Sequence, residues 1–218
     1  MLEAMLHVLR TGCPWRDLPE HFGRWSSVYT RWSRWCEAGL WAGILDLLAE
    51  RPAGVLRSLD ATHIKVHQDA ANPAGGREHQ RSGQTKGGLN TKLTALVDSR
   101  GRAWQLTLAP GSQADVRAAQ EIVLPAATVV IADKGYDSDP FCQTIAAGGS
   151  RPCIPPRRGR RQPRRFHRGH YKRRHQIENF FQRVKRFRRV ATRYDKLDLN
   201  FLGFGQLAAV IDWLKNRV

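Results

Sequence analysis

Four consecutive apolar residues, Val129-Val130-Ile131-Ala132, run into Asp133-Lys134-Gly135, where the chain turns. A strand with one face in water alternates apolar and polar side chains, so an unbroken run of this kind suits a strand buried on both faces. That requirement places it inside a sheet covered on both sides. Three β-prone runs precede it, over 55–66, 91–98 and 103–108, the last two joined by the turn Ser99-Arg100-Gly101-Arg102. Helical segments are expected over 114–124 and 139–147, with a further short strand over 152–154. Three strands in a meander, then helix, strand, helix, strand, helix, is the order of a mixed α/β sheet. The segment 68–88 is polar and Gly-rich. It is longer than an ordinary connection, which marks it as functional or mobile.

The first fifty residues have a different character. An amphipathic helix over 1–10 is broken by Gly12 and Pro14, a short turn follows over 15–20, and Gly23 breaks the chain again. Ser26-Ser27 would cap a helix running to about residue 38, which Gly39 ends, and another helix covers roughly 41–50. Val28, Trp32 and Trp35 form an apolar stripe, with Arg24, Arg31 and Arg34 on other faces. Short helices with tight turns and a basic face suit a helix-turn-helix DNA reader, with Arg31 and Arg34 as candidate DNA contacts. The same pattern suits a plain helical bundle packed on the next domain. The expected division is a helical module over 1–52 and a larger α/β domain over 53–218. Tryptophan, concentrated before residue 42, could stack on bases but suits core packing better.

Charge narrows the partners. The chain has 36 Lys or Arg against 19 acids, a formal net charge of +17. Such an excess calls for a polyanion, most often nucleic acid. An anionic membrane is the rival, but no apolar run reaches the roughly 18 residues a spanning helix needs. Cys13, Cys36, Cys142 and Cys153 lie far apart, which suits reduced thiols in a cytoplasmic protein. Between Arg151 and Arg193 stand seventeen Lys or Arg and one acid, Glu178, a local balance of +16. The part over 155–169 reads as an extended basic loop, and the part over 170–190 as a helix. Self-repulsion on this scale points to nucleic-acid contact.

The lone acid is then the residue to explain. At about 100° per residue, Tyr171, Arg174, Glu178 and Lys185 fall within roughly 60° of one another on a helix. Ile177, Phe180, Phe181, Val184 and Phe187 form a neighbouring face able to pack on a sheet. An Arg174–Glu178 ion pair accounts for two of the four polar residues and leaves the others unexplained. Asp60 sits at the centre of the first strand, where Asp is disfavoured. Asp133 ends the buried strand, at the carboxyl edge where open α/β sheets present ligands. Asp98, Asp115, Asp137 and Asp139 have ordinary turn or capping roles. Three converging carboxylates repel unless cations bridge them, and oxygen ligands of this kind suit Mg²⁺ or Mn²⁺. Two such ions about 3.5–4 Å apart can drive an in-line phosphoryl displacement. His167, His170 and His175 lack zinc-site spacing and are better placed beside phosphate.

Tyr171, Arg174, Glu178 and Lys185, at that spacing, resemble the tyrosine–arginine–glutamate–lysine signature of bacterial insertion-sequence transposases. The group is the one gathering the fourth and fifth insertion-sequence families, and the likeness is greatest to the fifth. Leu59-Asp60-Ala61-Thr62 and Ala132-Asp133-Lys134-Gly135-Tyr136 resemble that family's segments around its first two aspartates, and 9–19 resembles its leader domain. The resemblance implies a ribonuclease-H-like catalytic domain behind a helical leader. It implies Asp60, Asp133 and Glu178 as catalytic metal ligands for two Mg²⁺ or Mn²⁺ ions, with Tyr171, Arg174 and Lys185 on DNA phosphates. Arg173 and Arg183 join the candidate DNA contacts. The reaction implied is hydrolysis at the element's ends followed by strand transfer into target DNA. The partners implied are double-stranded terminal inverted repeats and target, bound by a homodimer on the nucleoid. The alternatives are a non-catalytic DNA-binding derivative and a stand-alone nuclease. The chain starts inside what resembles the leader's first helix, so truncation or a mis-assigned start is expected to weaken end recognition more than catalysis.

Overall fold

The structure is a computed structural model and describes residues 1–49 and 54–215. Its centre is the strand β1 (Leu56–Val66), which pairs antiparallel with β3 (Gly88–Asp98), itself antiparallel to β4 (Ala103–Pro110). On its other side β1 pairs parallel with β5 (Val129–Ile131), and β5 with β6 (Arg151–Cys153). The order β4-β3-β1-β5-β6, an antiparallel meander followed by two parallel strands, is that of a ribonuclease-H-like sheet. Two short strands extend it: β2 (Gly83–Thr85) antiparallel to the start of β3 at Gly88 to Asn90, and β7 (Thr192–Arg193) parallel to the end of β1.

β5 covers β1 from Leu56 to Ser58, and β7 covers it from Lys65 to Val66. Between them, Leu59 to Ile64 have no strand on that edge among the described residues. This interruption exposes the middle of the central strand beside the carboxyl end of β5, the position where open α/β sheets present ligands.

Alternation along β1 separates two cores. Leu59 joins Val130, Ala132, Tyr136 and Phe141 on one face, beside α5 (Asp139–Ala147). Ile64 joins Leu93, Ala95 and Val97 on the other, under α7 (His175–Val184) and α9 (Asp198–Lys215). On α7 the buried residues are Ile177, Phe180, Phe181 and Val184, four of the stripe expected from the sequence, while Phe187 lies past its end. The flanking helices are shorter or more broken than expected. The helical stretch anticipated over 114–124 is α4 (Asp115–Ala118) followed by a 3-10 turn, Ala119–Glu121. The basic helix anticipated over 170–190 is three pieces: α6 (Arg168–Tyr171), α7 after a 3-10 turn at Lys172–Arg174, and α8 (Arg188–Ala191).

The N-terminal helices α1 (Leu2–Thr11), α2 (Trp25–Glu37) and α3 (Leu40–Ala49) share the second core with α9. α2 begins one residue before the expected serine cap, because Gly23, at φ 90°, has already turned the chain. Trp32 stacks on Phe204 with ring centroids 4.0 Å apart, and Arg31 and Arg34 lie exposed on the outer side of α2. Gly203 permits this approach: a Cβ there would lie 2.4 Å from Cys36 Sγ and 3.1 Å from the Trp32 ring. Gly203→Ala is therefore expected to destabilise the fold by about 1–3 kcal/mol through overpacking, read as a fall in Tm. An unchanged Tm would mean that α2 and α9 are not pressed together there.

Candidate active site

Asp60 and Asp133 occupy matched places on neighbouring parallel strands. Ser58 and Ile131 are register partners, and each aspartate lies two residues beyond its member of that pair. Since side chains repeat every second residue, both carboxyls leave the sheet on the same side. The Asp60 Oδ1 accepts the Ala61 N–H at 2.8 Å, and the Asp133 Oδ1 accepts the Gly135 N–H at 2.7 Å. The second contact explains a glycine in the turn, since a Cβ on residue 135 would stand 2.8 Å from that oxygen.

Asp60 is strongly perturbed. Burial pushes its carboxyl up to about 6, and the negative charges of Asp133 and Asp115 add to the shift, against the Ala61 N–H and the Arg174 guanidinium. A nearby cation favours the charged form of such a group. Arg174 supplies one in part: its Nη1 lies 3.6 Å from Asp60 Oδ2, and its Nη2 donates to Glu178 Oε1 at 2.6 Å. Burial lowers the Arg174 pKa, but the hydrogen bond and charge of Glu178, with Tyr171 and Asp60, more than offset this and leave it raised. Arg174 thus links the strand aspartate to the helix glutamate. The ring of Tyr171 lies 6.0 Å from the same guanidinium.

Lys185, at the carboxyl end of α7, reaches back to β1. Its Nζ donates to Thr62 Oγ1 at 2.6 Å and to the His63 carbonyl at 3.2 Å, two and three residues beyond Asp60. Burial lowers its pKa. Tyr171, Arg174, Glu178 and Lys185 therefore border one surface although the helix that carries them is broken. The 3-10 turn tightens the chain before Glu178 without moving Arg174 out of i, i+4 reach.

Other candidates lie apart. Arg183 faces inward, pairing through Nε and Nη2 with Asp212 on α9 at 2.6 and 2.9 Å and donating to the Gly101 carbonyl. Arg173 is exposed beside Arg174. Among the histidines, His167 caps α6 through the His170 N–H and His175 meets the Lys172 carbonyl. Two features were missed in the sequence. Tyr136 is fully buried with an unpartnered hydroxyl, and the charges of Asp60, Asp115 and Asp133 reach it and raise its pKa after burial itself. Asp115 is held by the buried Lys92 at 2.5 Å. Neither residue stands out by spacing; both are evident once β3, α4 and the Asp133 turn meet.

Among the described residues no three carboxylate, histidine or cysteine side chains are close enough to hold one ion together. Asp60 and Asp133 are hard oxygen donors on one face, which fits Mg²⁺, an ion commonly held by one or two carboxylates. Glu178 is held by Arg174 through Oε1. A cavity of about 710 Å³ lies elsewhere, between the N-terminal helices and the segment after α7. An open surface at the carboxylates is what a polymeric substrate requires. No helix among the described residues is long and apolar enough to cross a membrane.

The chain is similar to several known proteins. Residues 1–45 match the family described as "Putative transposase of IS4/5 family", and residues 51–213 match "Transposase DDE domain". A Brucella ovis protein named "Putative transposase for insertion sequence element IS6501" is 35% identical over 139 residues, which is 58% of this chain and 100% of that protein. "Uncharacterized protein y4sN" of Sinorhizobium fredii is 39% identical over 70 residues, 32% of this chain and 56% of that one. The solved "Cryo-EM structure of piggyBac transposase synaptic complex with hairpin DNA (SNHP)" overlays with a TM-score of 0.47 at 8% identity, and covers 76% of this chain and 48% of that chain.

Proposed function

The chain belongs to the DDE transposases of insertion sequences in the IS4/5 group, and on that premise we propose that Asp60, Asp133 and Glu178 cut DNA at the element's ends and join the freed ends to target DNA. The observation that carries this reading is the register match of Asp60 and Asp133 at the interrupted edge of β1, with Glu178 tied to Asp60 through Arg174. Mg²⁺ or Mn²⁺ bound there, in one or two ions, would activate the attacking oxygen and stabilise the leaving one. Asp60 and Asp133 form the fixed side of that site. Glu178 completes it from α7 once Arg174 turns to a phosphate, for which its planar fork is suited.

Tyr171 and Lys185 border the surface on either side of Glu178 and orient the DNA backbone, with Arg173 adding charge from the rim. Arg183 enters this reading as the partner of Asp212 and not as a DNA contact. Residues 1–52 act as the DNA-binding module through Arg31 and Arg34, and 53–218 as the catalytic domain. Two copies hold the two double-stranded ends on the nucleoid, since synapsis of a pair of repeats needs a pair of sites.

The test is incubation of the protein with terminal-repeat DNA, a plasmid and Mg²⁺. Nicks leaving 3′ hydroxyls, followed by joined products in the plasmid, are expected. Cleavage without joining would favour a nuclease, and binding without cleavage in either Mg²⁺ or Mn²⁺ would favour a DNA-binding derivative.

A further inference from the structure

The cavity of about 710 Å³ has a chemistry that the carboxylate surface does not use. It lies at the seam between the N-terminal helices and the segment following α7, and is lined by Arg16, Trp25, Tyr29, Arg188, Tyr194 and Lys196 among others. Trp25 is 37% exposed, unusual for so large an apolar side chain, and the Arg16 guanidinium lies 5.6 Å from its ring centroid. Tyr29 and Tyr194 are half-buried on the walls. Arg16, Arg188 and Lys196 make no ion pair among the described residues, and the acid on the rim, Asp69, is exposed beside His67, whose Nδ1 accepts the Asp69 N–H. A second wall acid, Asp195, is held by Arg189. The cleft therefore offers a part-exposed indole, with Arg16 over one face of it, beside Arg188 and Lys196, cations without an ion pair among the described residues.

We propose that this cleft binds a single-stranded segment of DNA, with a base stacked on Trp25 and phosphates on Arg188 and Lys196. Stacking on an aromatic ring with cations along the backbone is how single strands are held without regard to sequence. A duplex is a poorer occupant, because its base faces are covered by neighbouring bases. The volume, about 710 Å³, is that of a site for one ligand of nucleotide size and not for a double helix. The position suits a strand separated near the cut. His67, at the mouth of the cleft, lies seven residues beyond Asp60 along β1, about 23 Å at the rise of an extended chain.

The inference rests on the DNA-binding reading above, and fluorescence anisotropy separates the two. The full chain is titrated with a labelled 12-nucleotide single strand and with a duplex of the same sequence. Trp25→Ala and the double variant Arg188→Ala/Lys196→Ala are each expected to weaken single-strand binding about tenfold and to leave duplex affinity within about twofold. Trp25→Phe is expected to restore most of the loss. Thermal melts matching the wild type keep the comparison free of folding defects; for a variant that melts early, Lys196→Ala alone, weaker on the single strand and unchanged on the duplex, decides the matter. Single-strand affinity unchanged in Trp25→Ala and in the Arg188 and Lys196 variants overturns the cleft proposal while duplex binding stands. Failure of the wild-type chain to bind either DNA overturns both readings.

Discussion

Asp60→Ala, Asp133→Ala and Glu178→Ala should each abolish Mg²⁺-dependent cleavage of terminal-repeat DNA, a loss of about 10³-fold or more, with duplex binding largely kept. The expectation follows from where charge lies. Binding depends on the cationic surface, which none of the three changes reduces, whereas cleavage needs oxygen donors at the interrupted edge of β1. Asp60 adds a second readout. Its carboxyl is pushed up to about 6 from an ordinary 3.8, by burial first and then by Asp133. A carboxyl whose folded pKa exceeds its unfolded one favours folding when protonated. That contribution is complete below the unfolded pKa and is lost as pH rises through the folded value. At pH 7 the ionised group then costs at most about 3 kcal/mol, from 1.36 kcal/mol per pKa unit, reduced by the solvent that reaches the 22% of the side chain still exposed. Asp60→Asn should therefore melt higher than the wild type at pH 7–8 in EDTA, with the gap closing below about pH 4. Mg²⁺ should raise the wild-type Tm and leave that of Asp60→Asn unmoved. Cleavage that survives loss of any one carboxylate removes that residue from the site.

What the sequence made legible was whatever had a period. β1, β3, β4 and β5 follow from β-prone runs and their turns, and Asp60 and Asp133 stand out because a buried strand has little use for an acid. Charge was harder to read, because counting cannot tell an inward arginine from an outward one. Of the seventeen basic residues between Arg151 and Arg193, Arg160 and Arg164 pair with Asp137 and Asp139, Arg183 with Asp212, and Arg189 with Asp195. Arg193 is fully buried, donating to the carbonyls of Gln80, Asp195 and Lys196, and burial draws its pKa down to about 10. The local +16 therefore overstates what faces a polyanion. The partners are distant in sequence or belong to turns, as with Asp137, whose role is to receive the basic loop while Ser138 caps α5. α9 escaped notice for the opposite reason. It is buried around nearly its whole circumference, so it shows no amphipathic period.

Arg189→Ala is expected to destabilise the fold by about 3–5 kcal/mol, the cost of leaving a buried charge without its partner. Arg189 and Asp195 are each 4% exposed and meet in a two-point contact, Nε to Oδ2 at 3.0 Å and Nη2 to Oδ1 at 2.9 Å. The remaining Nη1 donates to the Cys13 carbonyl at 3.1 Å, so the same guanidinium fastens the turn after α1 to the segment between α8 and α9. Its flat faces lie against Trp15, Tyr194 and Phe204 at 5.4–5.8 Å. Removing it strands the Asp195 carboxylate, frees the Cys13 carbonyl and opens the aromatic packing together. Arg189→Lys should recover little, because an ammonium cannot reproduce a planar fork that serves a carboxylate and a carbonyl at once. Chemical denaturation gives the magnitude, and a double-mutant cycle with Asp195→Asn isolates the pair. The N-terminal helices should also loosen before the sheet does, seen as protease cleavage near residues 12–14 at temperatures where the wild-type chain resists. A change in stability below about 1 kcal/mol, or cleavage confined to other loops, would mean that the N-terminal helices are held by the Trp32–Phe204 contact and its neighbours and not by Arg189.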